Sequence, residues 1–193
     1  IFDGVIYGKV RFRHREIREL LAAEWLADLL QAGNSRRAVE SLIFREKYGH
    51  TFISPRLRPL LPWLILLDET IRRKAVALSP EIVAEGGDPS RLPLEERRQL
   101  LREIVARIAE NSGPRSASDN DAIARMAEFD LSNDVLHLID EHRKNDAALF
   151  FLGRLVWQGK MTACVGPMAD IAADCGRGRY ARIAAIRAVS TAG

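Results

Sequence analysis

Helical periodicity, broken at short intervals, constrains this chain more than any other feature. From Arg15 to Gln31 the apolar residues Ile17, Leu20, Leu21, Trp25 and Leu29 fall close to one face of a 3.6-residue repeat. Glu16, Glu19, Glu24 and Asp28 lie largely off that face. Gly33-Asn34 closes the segment, and Ser35 offers an N-cap oxygen to a second helix running from Arg36 to about Lys47. Tyr48 to Pro55 is expected to be a loop. A strongly apolar helix follows over Arg56 to Leu67, with Pro62 near a kink or a fresh start, then a short helix from Glu69 to Leu78 stopped by Ser79-Pro80. One turn is expected at Glu81 to Ala84, before the Gly86-Gly87-Asp88-Pro89 loop. Pro93 suits the first turn of the next helix, whose stripe of Leu94, Leu101, Ile104, Val105 and Ile108 ends near Glu110.

Asn111 to Asn120, rich in Ser, Gly, Pro and Asp, has the composition of a linker. Beyond it the spacing predicts helices over Asp121 to Glu128, Asn133 to Arg143, Asp146 to Gln158, Thr162 to Asp174 and Arg179 to Val189. Lengths near a dozen residues joined by short turns are the pattern of stacked helical hairpins. The segment around Leu149 to Trp157 is apolar nearly all round, as a helix buried between neighbours should be. Residues 178 to 189 alternate small and branched residues, expected to pack inward with arginines outside, like the inner helix of a HEAT-type repeat.

The first fourteen residues are the one strand-like stretch. Val5-Ile6-Tyr7 and Val10-Arg11-Phe12 are β-prone, with Gly8-Lys9 as a tight turn between them. The expectation is therefore an all-α chain: a short N-terminal β-hairpin, a helical bundle, then HEAT-like hairpins of an α-solenoid. Its divisions are residues 1–14, 15–111 and 121–193.

Hydrophobic residues make up 47% of the chain, enough for a buried core and too many for disorder. No apolar run reaches the roughly 18 residues of a membrane span, because Leu60 to Leu67 is interrupted by Pro62 and closed by Asp68-Glu69. Cys164 and Cys175 are too few for a disulfide scaffold, and their spacing fits no zinc site, so a reducing cytoplasm and two buried thiols are expected. A first residue of Ile1 rather than Met suggests excision from a longer chain. Residues 1–80 carry 14 Lys/Arg against 9 Asp/Glu, a balance of +5, whereas 81–193 stand at −2. That excess would suit contact with nucleic acid and equally a solvated helical surface.

Motifs of catalysis do not assemble. Gly4 to Gly8-Lys9 is one residue short of a phosphate-binding loop and has Val10 where its hydroxyl belongs, and Gly159-Lys160 runs into Met161. Gly176-Arg177-Gly178-Arg179 would clamp a phosphate or an RNA backbone, or form an interhelical turn, the last being the commoner use of such glycines. His137 and His142 are five apart, off the spacing that brings two ligands onto one helix face, and Asp68-Glu69 and Glu95-Glu96 are adjacent and share no face. In the basic stretch from Lys9 to Arg15 an extended backbone would project Lys9, Arg11, Arg13 and Arg15 to one side and Val10, Phe12 and His14 to the other. That is the pattern of an amphipathic wing strand or of a strand facing a polyanion.

Phe12, His14, Ile17, Glu19, Leu20, Leu21, Ala22 and Ala23 stand in the order Phe-x-His-x-x-(Phe/Ile)-x-Glu-(Phe/Leu)-Leu-Ala-Ala. This resembles a segment of NACHT-type STAND nucleoside triphosphatases, with Arg18 where that family often has Gln. The stretches 58–64 and 79–90 look like the helical region of large bacterial members. The resemblance implies the end of a winged-helix module, a helical linker and the start of a HEAT-like sensor. It also implies that His14 contacts the phosphate of bound ADP in the resting state. The nucleotide-binding core is not in this sequence, so ATP or ADP and Mg²⁺ are expected in a parent protein and no catalysis in this chain. The implied function is a regulatory arm of a ligand-triggered switch, several of which serve antiviral defence. Its partners would be an upstream nucleotide-binding domain and a protein ligand on the repeats. The competing expectations are a free-standing HEAT-like scaffold and a helical nucleic-acid-binding module.

Overall fold

The computed structural model describes residues 2–6, 9–12, 14–32, 36–110 and 120–193, and gives the backbone alone for 2–6, 9–12, 120, 121 and 129. The chain is all-α with a short β-hairpin at its N-terminal end. Strands β1 (Phe2–Ile6) and β2 (Lys9–Phe12) pair antiparallel, Phe2 opposite Phe12 and Asp3 opposite Arg11. The Gly8-Lys9 turn falls partly outside the described residues, as do Arg13 and most of the linker expected at 111–120. Arg15 leaves the row of strand cations, because helix α1 (Arg15–Gln31) begins with it.

Two compact units divide the chain, Ile1–Asp88 and Pro89–Gly193. This division differs from the sequence-based one, which placed residues 89–110 with the middle helices.

In the first unit α1 buries Ala23, Leu26, Ala27 and Leu30 against α3 (Leu61–Leu67) and α2 (Arg36–Ile43). That face is not the expected one. Small alanines at 23 and 27 let α1 approach its neighbours, while Leu21 and Trp25 stay 44% and 62% exposed. Helix α2 also ends four residues early. Phe44–Lys47 and His50–Ile53 form β3 and β4, a second antiparallel hairpin where a helix end and a loop were expected. Its two-residue loop holds Tyr48 at φ 54° and Gly49 at φ 75°, the left-handed pair that a type I′ turn requires. Pro62 is a fresh start: it occupies the first turn of α3, where its missing N–H is no loss. Helix α4 (Glu69–Leu78) has the expected bounds, and Asp68 caps it by accepting from the Ile71 N–H at 2.9 Å. Gly87, at φ 70°, backs onto Pro62 so closely that a Cβ would lie 2.3 Å from the Pro62 carbonyl oxygen.

In the second unit α5 (Leu94–Glu110) buries Leu100, Leu101, Ile104 and Val105, and α6 (Asn120–Met126) and α7 (Ser132–Glu141) join it around α8 (Asp146–Gly159). Helix α8 buries eight of its residues, Gly153 and Arg154 among them, in keeping with its all-round apolar sequence. Helices α9 (Val165–Ala173) and α10 (Arg179–Ala192) complete the unit. The hairpins α7/α8 and α9/α10 stack through their second helices, α8 against α10. Their contact is made of the smallest residues available. A Cβ on Gly153 would meet the Ala184 Cβ at 2.9 Å, and α10 turns inward Ala181, Ala184, Ala185, Ala188 and Ala192. The branched residues expected on that face are not its core; Ile186 is 50% exposed.

Candidate functional site

His14 is the N-cap residue of α1, extended at φ −105° and ψ 125°, exposed, and without a capping hydrogen bond from its side chain. It stands at the joint between the first hairpin and the helix. Seven and eleven residues on, Leu21 and Trp25 share one face of α1 by their four-residue spacing. That face lies across the helix from buried Ala23, Ala27 and Leu30. Helix α1 is therefore apolar on two sides, one inside this unit and one outward. Arg15 and Glu19 pair along the helix beside His14, and the carboxylate holds the guanidinium above its usual pKa.

A second surface is a groove of about 430 Å³ between α7 and α9. Leu136, Ile139, Pro167 and Ile171 supply its apolar floor and His137, Asp140, Arg143 and Asp170 its polar rim. Arg143 lies 3.9 Å from Asp140 and 3.8 Å from Asp170, loose contacts between exposed groups that contribute little to stability. His142 sits instead at the C-terminal end of α7, 3.9 Å from Glu141, so the two histidines of this helix do not converge.

The glycine-arginine turn is filled by its own protein. Asp174 accepts from the Gly176 N–H at 2.9 Å, and Asp146 accepts from the Gly178 N–H at 2.6 Å. Arg177 bonds Asp174 at 3.1 Å. The two carboxylates take the N–H groups a phosphate would need. Gly159-Lys160 is likewise a helix end: Lys160 takes the left-handed C-cap at φ 47°. Gly159 is needed one position earlier, where a Cβ would lie 2.2 Å from the Ala127 carbonyl oxygen.

Other charged groups hold helices together. Arg36 reaches Asp68 at 2.7 Å and Glu40 at 3.4 Å, and Lys74 pairs with Glu40. Burial alone would raise the Asp68 carboxyl; hydrogen bonds from Arg36 and the Ile71 N–H outweigh it and hold the group below the usual carboxylate range. Arg58 spans Glu85 at 2.6 and 2.8 Å and Ser79 at 2.8 Å, while Arg97, 4% exposed, grips Asp130 at 2.6 and 3.2 Å. Glu69, Glu95 and Glu96 remain ordinary first-turn acids of their helices, where the dipole favours them. Cys164 is buried, which pushes its thiol up to about 11, whereas Cys175 is exposed against expectation. Among the described residues no three His, Cys, Asp or Glu side chains gather as a metal ion would require, and no helix is long and apolar enough to cross a membrane.

Comparison with protein-family models, with curated proteins and with solved structures finds no match to this chain.

Proposed function

We propose that this chain is a non-catalytic regulatory arm of a cytoplasmic, signal-transducing switch ATPase of the kind used in antiviral defence, related to the NACHT-type STAND proteins. It couples a ligand or partner on its helical repeats to a nucleotide-binding module upstream. The observation that carries this reading is the two-sided α1. Leu21 and Trp25 form an outward apolar face immediately after the hairpin and His14, where an upstream module would pack. His14 has its side chain free of any cap bond at that joint and is the residue we assign to sensing bound ADP. ATP or ADP and Mg²⁺ belong to the upstream module in this reading.

The test is made in the intact parent protein. His14→Ala should weaken retention of ADP through purification and raise basal signalling, and Trp25→Gln should loosen the joint in the same direction. Unchanged nucleotide retention and unchanged signalling in both variants would sink the proposal.

The α7/α9 groove favours a second reading, a free-standing HEAT-like scaffold whose protein ligand seats an apolar residue on Leu136 and Ile171. In that case Leu136→Asp abolishes ligand binding while Trp25→Gln does nothing.

A further inference from the structure

One face of the β3–β4 hairpin is exposed along its length. Register puts Arg45 opposite Phe52 and Lys47 opposite His50. Directly paired residues share a face and alternate residues share it along a strand, so Arg45, Lys47, His50 and Phe52 all project to the same side. All four are exposed, Phe52 by 39%. The other side carries Phe44, Glu46, Thr51 and Ile53; Ile53 is buried, and Phe44, Glu46 and Thr51 line an open groove with Lys74 and Leu78 of α4, whose rim Arg45 also reaches. The hairpin thus buries Ile53 and leaves Lys47, His50 and Phe52 exposed on its outer face, with Arg45 at the groove's rim.

Among the described residues neither Arg45, Lys47 nor His50 has an ion-pair partner, although carboxylates pair with Arg36 and Arg58 on either side of the hairpin in sequence. At the tip Tyr48 is 87% exposed, with the Lys47 ammonium 5.1 Å from the centroid of its ring. Its φ of 54° is a conformation that a type I′ turn ordinarily assigns to Asn, Asp or Gly. A tyrosine is a poor residue for that place on folding grounds, and the Lys47 ammonium is the contact its exposed ring makes.

We infer that this face is a binding site for single-stranded nucleic acid. Arg45 and Lys47 would track the phosphates, while Tyr48 and Phe52 would stack on unpaired bases. Cations interleaved with exposed aromatic rings are what a strand with accessible base faces needs; a duplex hides those faces, and a carboxylate-rich protein would have no use for the rings. The site is independent of the regulatory reading.

The experiment is fluorescence anisotropy of the whole chain with a labelled oligothymidylate and the same sequence as a duplex, in rising salt. Binding to the single strand should weaken with salt with a log–log slope of about −1.4 for two phosphates, and Arg45→Gln or Lys47→Gln should each reduce the slope by about 0.7. Tyr48→Gly should lower affinity about tenfold. Because glycine suits φ 54°, that variant should also melt no earlier than the parent, which separates a lost contact from a lost fold. No binding at low salt, equal binding to the duplex, or binding unmoved by Tyr48→Gly and by the charge variants would overturn the inference. So would attachment to anionic phosphatidylserine vesicles without attachment to the oligonucleotide.

Discussion

Single residues in this chain carry two burdens at once, and Asp68 is the clearest case. Its carboxylate caps α4 and also receives Arg36 from α2. Asp68→Ala should cost about 1–2 kcal/mol through the lost cap and pair, whereas Asp68→Asn, which keeps the cap, should cost less than about 1 kcal/mol; urea unfolding distinguishes them. The folded carboxyl titrates below its unfolded value, so its contribution is complete above about pH 4 and is lost as pH falls through the lowered folded value. Asp68→Asn should therefore flatten the acid limb of the stability curve, and an unchanged limb would show that other carboxylates set it. The thiols make a second residue-scale contrast. Iodoacetamide should label Cys175 in the folded protein and Cys164 only after unfolding, since burial keeps the latter protonated at neutral pH. Equal labelling rates would contradict the burial of Cys164.

At the scale of elements, α8 packs tightly on α10 where Gly153 faces Ala184. Gly153→Val should cost about 1–3 kcal/mol by overpacking, with partial recovery when Ala184→Gly is added; thermal melts of the pair and the singles measure both. Periodicity and stop signals made most helices readable in advance: α4 and the start of α8 have the expected bounds, and Pro62 and Pro93 mark starts as proline should. The misses share a cause. In α1 and α10 the inward face belongs to alanines, which a search for large apolar residues passes over, so Leu21, Trp25 and Ile186 are counted as core while they face outward. The β3–β4 hairpin was hidden because Phe-Arg-Glu-Lys continues a helical pattern, and because Tyr-Gly is not the Asn-Gly that announces a type I′ loop.

For the molecule as a whole, the division at Asp88–Pro89 says that α5 belongs with the helices that follow it, although a linker-like sequence lies between. Residues 89–193 expressed alone should keep their helical circular dichroism and melt cooperatively; a disordered product would show that their core depends on the first unit. Of the proposed site, His14 was singled out in sequence by its place in a motif of eight residues, and its proposed role rests on that resemblance. The outward face of α1 and the basic hairpin face were not, because each depends on which side of an element the fold buries. Both units offer surfaces: the α1 face and the hairpin in the first, the α7/α9 groove in the second. The regulatory reading makes the α1 face a joint to a nucleotide-binding module, and the reading frame upstream of Ile1 tests that most directly. Sequencing it should reveal a Walker-type phosphate loop and an acidic Mg²⁺ motif before the first hairpin. A start codon close to Ile1, with no such loop ahead of it, would contradict the account and leave a helical-repeat scaffold.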